Sequence, residues 1–248
     1  LREMVARALL FKGITLGQLG RSEVAIVVYD EMVARFGSSL EAAWRELVAK
    51  ALVNKGGALE QLGRDEDAIV VWDEVISRFG AAPEVPLREQ VGRALMSKGI
   101  TLGQLGRSEA ELAVYDEVVA RLGTAPEAVL RELVAQALVY KGIGLGKLGR
   151  YEDAIVVCDE VVSRFGRAPE VPLREQVGKA LLSKGGKLGQ LGRYEDAIVV
   201  CDEVISRFGE APELTLQEQV GEAFLSKAEK LGQLGRYEDA IVVCGEVV

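Results

Sequence analysis

The tripeptide Leu-Gly-Arg returns every 43 residues along this chain, and that period constrains the fold more than any other feature. The turns are centred on Gly20, Gly63, Gly106, Gly149, Gly192 and Gly235. A fixed period between about 20 and 50 residues indicates supersecondary units that stack on their neighbours. We therefore interpret residues 1–248 as a single repeat domain. Both ends fall inside helical patterns, so we expect incomplete terminal units and an excerpt of a longer array.

Each unit contains two predicted helices, which we name helix A before the glycine turn and helix B after it. Apolar residues recur at three- and four-residue spacing on both sides of the turn. Gly106 suits the left-handed residue that ends helix A, and Ser108 and Asp65 suit the N-caps of helix B. The sequence predicts an all-α fold, an α-solenoid of six stacked antiparallel helix pairs.

The composition argues against several functional classes. A formal net charge of −8, with no visible cluster of lysine and arginine, argues against nucleic-acid binding. No run of 18 apolar residues and no signal peptide is present, so we expect no membrane span and a cytoplasmic location. The absence of histidine removes His-based triads, general bases and metal sites. Since no cofactor fingerprint is visible either, we expect a non-enzymatic protein with no cofactor and no metal.

The three cysteines, Cys158, Cys201 and Cys244, occupy the position at which the first three units carry Tyr29, Trp72 and Tyr115. Such exchange between aromatic residues and cysteine is typical of a core position, where a free cysteine packs as a small hydrophobe. Helices that lie side by side are about 8–10 Å apart, which is too far for a disulfide between successive units. We therefore expect three buried thiols.

Charged residues also recur with the repeat. Adjacent acids such as Asp73 and Glu74 diverge on a helix, and an arginine follows the glutamate four residues later, so they are interpreted as a solvated face. A lysine lies on the apolar stripe of every helix A, where a buried amine without a partner would be unfavourable. Snorkelling of the amine to water is one explanation. Our hypothesis is a ladder of ion pairs to acids of a neighbouring helix, formed by Lys12, Lys55, Lys98, Lys141, Lys184 and Lys227.

The unit resembles the tetratricopeptide repeat (TPR). The family pattern has a glycine in helix A, a glycine at the turn, an aromatic residue, an alanine and a large residue; here it is matched by Gly142, Gly149, Tyr151, Ala154 and Cys158, and by Gly185, Gly192, Tyr194, Ala197 and Cys201. The unit departs from the family in having nine additional residues and a lysine before the helix A glycine. The resemblance implies a right-handed superhelix and an interaction scaffold whose concave groove is lined by helix A.

Mapping the family's groove positions onto this sequence gives three rows of candidate partner-binding residues. Row 1 contains Leu10, Val53, Met96, Val139, Leu182 and Leu225. Row 2 contains Ile14, Gly57, Ile100, Ile143, Gly186 and Glu229. Row 3 contains Gln18, Gln61, Gln104, Lys147, Gln190 and Gln233. An apolar floor edged by amides suits an extended or helical peptide rather than phosphate.

Glycines accompany these rows in five of the six units, at Gly17, Gly103, Gly146, Gly189 and Gly232. Each lowers helix stability by about 1 kcal/mol relative to alanine, which suggests close approach by another backbone. That backbone belongs either to a neighbouring helix or to a bound chain. The sequence favours a protein or peptide partner, with self-assembly into filaments or tubes as the alternative.

Overall fold

A computed structural model describes residues 2–38 and 41–246, and it confirms the all-α fold class. The helices A of these ranges are α1 (Arg2–Gln18), α3 (Ala42–Gln61), α5 (Val85–Gln104), α7 (Ala128–Lys147), α9 (Val171–Gln190) and α11 (Leu214–Gln233). The helices B are α2 (Ser22–Phe36), α4 (Asp65–Phe79), α6 (Ser108–Leu122), α8 (Tyr151–Phe165), α10 (Tyr194–Phe208) and α12 (Tyr237–Gly245). Six helix A–helix B pairs therefore follow one another along the chain, as the period predicts.

The glycine turn between helix A and helix B has one geometry in every unit. The six turn glycines have φ between 68° and 73°, the left-handed region that ends a helix. At the third turn the N–H of Arg107 donates to the carbonyl of Leu102 (2.8 Å) and the N–H of Gly106 donates to that of Gly103 (3.2 Å). These two bonds form a Schellman motif, and the sequence prediction of a left-handed glycine is confirmed.

The predicted N-caps of helix B are wrong by one residue. The N-caps are Arg107 and Arg64, neither of which makes a side-chain cap hydrogen bond, and Ser108 and Asp65 are the first helical residues. The turn is so tight that one arginine both completes the Schellman motif and begins helix B. The Arg64 side chain instead donates from Nε to Asp67 Oδ2 (2.8 Å) in the first turn of α4.

The chain divides into two compact parts, each of which contains several repeats, with the boundary after Leu133, within α7. We name the part before this boundary the first unit and the part after it the second unit. In the first unit, α2 packs against α1 and α3, α4 packs against α3 and α5, and neighbouring helices A also contact each other. In the second unit, α10 packs against α9 and α11, and α9 contacts α11 directly. Each unit is thus built from pairs that bury their apolar faces against sequence neighbours.

At one aligned position of helix B, a large aromatic side chain of the first unit lies against a glycine of helix A. Tyr29, Trp72 and Tyr115 are at most 2% exposed, and a methyl group added to Gly13, Gly56 or Gly99 would overlap their rings. Cys158 and Cys201 occupy the same position in the second unit and are buried, which confirms their predicted core role. Burial raises the pKa of both thiols. The expectation of a third buried thiol is wrong, since Cys244 on the short helix α12 is exposed.

The predicted lysine ladder is present. Four of its rungs join a lysine Nζ of helix A to an aspartate Oδ1 of the preceding helix B at 2.5–2.6 Å, in the pairs Lys55–Asp30, Lys98–Asp73, Lys184–Asp159 and Lys227–Asp202. The lysine side chains are 20–22% exposed while the aspartates are 51–54% exposed, so the stems are packed and the charges meet at the surface. Such half-exposed pairs contribute about 0.2–1 kcal/mol each.

A second ladder was not predicted from the sequence. The arginine in the last turn of one helix B donates to the carbonyl of the glycine that follows the preceding helix B, in the pairs Arg78–Gly37 (2.8 Å), Arg121–Gly80 (3.1 Å) and Arg207–Gly166 (3.2 Å). Because the last carbonyls of a helix have no partner within the helix, a cation there stabilises it. From the sequence, these arginines were expected to form ion pairs only with glutamates of their own helix.

Candidate functional site

The row 1 side chains lie mostly below the surface. Leu10, Met96 and Val139 are 9%, 6% and 6% exposed, and Val53 and Leu182 are half-buried. Their position follows from the stacking, since a residue on this row faces the next helix A. A charged substitution at Met96 or Val139 would therefore disrupt the core. Loss of partner binding in such a variant would reflect loss of the fold rather than loss of a contact with the partner.

Rows 2 and 3 are closer to solvent. Ile14 and Ile100 are half-buried and Ile143 is 36% exposed. The row 3 side chains are all exposed: Gln18, Gln61, Gln104, Lys147, Gln190 and Gln233. A partner that reaches the helix A face would therefore meet rows 3 and 2 first.

The structure brings five residues of the three rows together around one cavity. This cavity has a volume of about 350 Å³ and lies in the first unit, where α1, α3 and the middle of α5 meet. We name it the α1–α3 pocket, and it is lined by Ile14, Gly17, Gln18, Tyr29, Val53, Asn54, Gly57, Ala58, Gln61 and Ser97. Its size is at the lower end of the range for ligand sites, which suits one large side chain or a few small ones.

Two glycines leave the α1–α3 pocket without side chains at its base. A methyl group added to Gly17 or to Gly57 would have no atom within 4 Å outside its own helix. Neither glycine is therefore required by tight helix packing, the first of the two explanations that the sequence left open. At Gly103 the corresponding space holds the carboxylate of Glu111.

The polar groups at the pocket are amides and hydroxyls. Ser22 Oγ donates to Gln61 Oε1 (2.7 Å), which fixes the orientation of that amide, and Asn54 Nδ2 donates to the Lys50 carbonyl (2.7 Å). Tyr29, which is 2% exposed, also contributes to the lining, and burial raises its pKa to about 12. All ten lining residues are uncharged at neutral pH.

The groups at the pocket can form hydrogen bonds and apolar contacts. It has amide donors and acceptors, hydroxyl groups and aliphatic side chains, while its tyrosine is held in the neutral form. Within residues 2–38 and 41–246, no cluster of three or more potential ligands could hold a metal ion. Over the same ranges, no helix has the length and apolar character that a bilayer crossing requires.

Sequence reasoning identified part of this lining and missed the rest. Ile14, Gln18, Val53, Gly57 and Gln61 follow from the mapped rows and Gly17 from the glycines beside them, whereas Tyr29, Asn54, Ala58 and Ser97 do not. One sequence feature could have predicted the pocket, namely the small residue Ala58 at a position where most of the other repeats have a larger one. The residues aligned at this position, which we call a column of the repeat, are Thr15, Ala58, Thr101, Gly144, Lys187 and Lys230.

Comparison with known proteins identifies the fold and not a close relative. No protein-family model matches the sequence, and no curated protein matches it. Among solved structures, the chain is similar to BtubC (BKLC) from P. vanneervenii, with 12% identity over 93% of this chain and 88% of that one and a TM-score of 0.69. A tetratricopeptide repeat protein from Parabacteroides merdae is 15% identical over 98% of this chain and 79% of its own, with a TM-score of 0.58.

A third similar structure also has repeats of this kind. It is a kinesin-light-chain-like protein from Podosopora anserina with nearly identical TPR-like repeats, 12% identical over 84% of this chain and 96% of that one, with a TM-score of 0.60. At such identities the likeness concerns the fold alone. The chain has a TPR-like repeat fold, as its sequence pattern implied.

Proposed function

We propose that this protein is a non-enzymatic interaction scaffold that binds a segment of a protein partner on the helix A face of its first unit. The observation that supports the proposal most directly is the α1–α3 pocket. It joins row 2 and row 3 residues of successive helices A around a base that two glycines leave open. An extended segment lying across α1 and α3 would bury one of its side chains there and meet the amides of Gln18 and Gln61 at the rim.

The chemistry of the pocket restricts the kind of partner. A phosphate or nucleic-acid ligand needs cationic groups, and none of the ten described lining residues is cationic. Aliphatic side chains with a few oriented amides suit the apolar side chain and the backbone of a peptide. TPR-like folds commonly mediate protein interactions, and the placement of the pocket on helix A agrees with that use.

The test is a selection of ten-residue peptides from a random display library on the full chain, followed by affinity measurements on two variants. Gly57→Leu fills the pocket from its base, where an added side chain meets no atom within 4 Å. We expect it to weaken binding of the selected peptides about tenfold or more. Gly186→Leu is the matched control, because Gly186 occupies the same position of α9 and is equally open.

Circular dichroism should show the same helix content and an unfolding midpoint no lower than that of the unmodified chain for both variants. Peptides that bind Gly57→Leu as tightly as they bind Gly186→Leu would show that the segment is held elsewhere. A library that yields no binding peptide would remove the support for a peptide-binding scaffold.

Self-association is a second candidate function, favoured by the exposed apolar residues of the first and last helices. Ile241 on α12 is 72% exposed, whereas its counterparts Ile69 and Ile198 are 8% and 9% exposed. On α1, Met4 and Phe11 are 71% and 72% exposed. Copies that stack α12 of one chain on α1 of another would cover both surfaces as interior repeats do.

Sedimentation velocity distinguishes this candidate. If copies associate through α12, Ile241→Glu should shift the chain to monomer at concentrations where the unmodified protein forms larger species. Val199→Glu, at a residue that is 66% exposed on α10, is the control and should leave the distribution unchanged. A monomer at all concentrations before any substitution would contradict the candidate.

A further inference from the structure

The α1–α3 pocket has counterparts in the second unit that are occupied by the chain itself. A methyl group added to Gly189, the counterpart of Gly17, would lie 2.8 Å from Cε and 3.3 Å from Nζ of Lys230. At Gly146 the nearest atoms are Cε and Nζ of Lys187. In both places the end of a lysine side chain lies directly over the glycine.

The residue that fills these spaces is aligned with Ala58. Lys187 and Lys230 are 129 and 172 residues beyond Ala58, three and four whole periods of 43 residues. Alanine has no side chain long enough to reach the neighbouring helix, so the space above Gly17 stays open. One aligned position of the repeat, which holds Ala58 in the first unit and Lys187 and Lys230 in the second, therefore supplies the side chain that fills these spaces.

Other side chains fill the corresponding space between α3 and α5. There Glu60 stands in the position of Gly17, and its Oε1 accepts a hydrogen bond from Thr101 Oγ1 (3.0 Å). Gly103 on α5 lies beneath the carboxylate of Glu111. Gly232, on the last helix A, again has no atom within 4 Å of an added methyl group.

We infer that the α1–α3 pocket binds a long, unbranched, uncharged side chain of the partner, of which methionine is the natural example, and that Lys187 and Lys230 block the equivalent positions. This inference rests on the proposed function and adds to it the chemistry of the bound side chain and its register on the repeat. The partner then docks at one repeat of the array rather than at any repeat.

The lysines in the second unit define the shape of the occupant. An unbranched chain of four carbons lies over the glycine in those repeats, and the side chain of Lys230 is 12% exposed, so most of it is packed. A methionine side chain has nearly the same length, is unbranched, and adapts to irregular spaces. A β-branched side chain would instead place its bulk at the rim, next to Gln18 and Gln61.

The charge of the occupant follows from the residues that line the pocket. Lys230 pairs with Glu229 Oε2 (2.9 Å), whereas Lys187 stands beside Gly186, the residue aligned with Gly57, so this neighbouring position does not decide the charge. None of the ten described lining residues of the α1–α3 pocket has a carboxylate, so a lysine of the partner would bring its ammonium group next to uncharged side chains. An uncharged end is therefore favoured over a cationic one.

The probe for this inference is N-acetyl-L-methionine N-methylamide, titrated into the full chain with isotope-labelled isoleucine, leucine and valine methyl groups. We expect the methyl resonances of Ile14 and Val53 to shift in a saturable manner. The lysine and glutamate analogues of the probe should produce shifts that are about tenfold weaker at equal concentration. Equal shifts for the three probes would overturn the assignment of an uncharged occupant.

Two substitutions exchange alanine and lysine at the aligned position of the two units. Ala58→Lys introduces at the aligned position the side chain that lies over Gly146 and Gly189 in the second unit, so the methionine probe should no longer shift Ile14. Lys187→Ala should open the space above Gly146, and the probe should then shift the methyl groups of Ile143 and Leu182. Ala113→Lys, on the exposed face of α6, adds the same charge elsewhere and should have no effect.

The outcomes separate this inference from the proposed function. Peptides from the display selection that still bind Ala58→Lys, with methyl shifts away from Ile14, would overturn the pocket assignment and leave the scaffold in place. Shifts of Ile14 by the methionine probe, in a protein that selects no peptide, would support the pocket and contradict the scaffold. Probe binding to Ala58→Lys that equals binding to the unmodified chain would overturn the role of the lysine column.

Discussion

The helix A glycines show how the same residue type has opposite roles at neighbouring positions. Gly13 and Gly56 lie under the rings of Tyr29 and Trp72, where no other residue fits without displacing an aromatic side chain. Gly17, one helical turn after Gly13, and Gly57, the residue directly after Gly56, have open space above them. The first pair is required by packing, whereas the second pair lowers helix stability with no packing benefit in this structure.

We expect Gly17→Ala and Gly57→Ala each to raise the free energy of unfolding by up to about 1 kcal/mol, the difference in helix propensity between the two residues. Urea unfolding followed by circular dichroism at 222 nm checks this. Gly13→Ala is the matched control and should lower stability, because its methyl group overlaps the ring of Tyr29. A loss of stability in Gly17→Ala would show that a neighbouring side chain occupies the space.

Tyr29 should make stability depend on pH in the alkaline range. Burial raises its pKa to about 12, while an unfolded tyrosine ionises near its ordinary value of 10.0. Between those two values the unfolded chain holds fewer protons than the folded one, so stability falls as pH rises, by about 1.4 kcal/mol per pH unit at most. Below pH 10 the contribution is present in full.

The measurement is urea unfolding at several pH values between 9 and 12 for the unmodified chain and for Tyr29→Phe, which keeps the ring and removes the ionisable hydroxyl. The difference between the two slopes isolates Tyr29 from the other tyrosines and the lysines. Parallel slopes would mean that the phenol of Tyr29 ionises equally easily in both states.

At the scale of helices and turns, each element ends where the local sequence requires it. The glycine turn makes the same Schellman hydrogen bonds at every repeat, and its left-handed φ is a conformation that a residue with a Cβ adopts only with strain. The arginine that follows begins helix B at once. Helix A and helix B are therefore held antiparallel by about three residues.

Gly106→Ala should lower the free energy of unfolding by about 1–2 kcal/mol, because the alanine must keep the left-handed conformation of φ 73°. The substitution adds the same methyl group as Gly17→Ala and also meets no atom within 4 Å, so the two variants differ only in backbone conformation. Chemical denaturation of both variants, side by side, is the check. Equal effects of the two substitutions would contradict the role assigned to the turn.

The elements were largely predictable from the sequence, and the pocket only in part. Periodic apolar residues and the turn glycines define the helices, because helix formation and its termination are local. The lysines on the apolar stripe of helix A predicted ion pairs to acids of a neighbouring helix, and Lys98 and Asp73 form one of these pairs. The burial of Met96 and the open space at Ala58 depend on the side chains of two neighbouring helices, which a single repeat does not encode.

At the scale of the whole molecule, stability is distributed over nearest-neighbour contacts. Of the described residues of α12, Val243 alone is buried, whereas α10 buries Ala197, Ile198, Val200, Cys201, Val204 and Phe208. A helix that buries few side chains opens at a lower free energy than one that buries many.

Hydrogen exchange on the intact chain should therefore show a gradient. Backbone amides of α12 should exchange at least about tenfold faster than those of α10, which corresponds to a difference of about 1.4 kcal/mol in opening free energy. Mass spectrometry of peptic fragments after timed exposure to deuterated water makes the comparison. The same rate in both helices would indicate one cooperative unit and would contradict the nearest-neighbour description.

The lysine ladder bears on how such a chain changes in length over generations. Each rung joins an aspartate to a lysine 25 residues further on, and the next rung starts a whole period later. Removal of residues 74–116, one full period, would place Lys141 25 positions after Asp73, so the aspartate would lose one lysine and acquire another. Recombination between repeats can thus add or delete units without leaving a mismatched charge, and copy number becomes a heritable variable that selection can adjust.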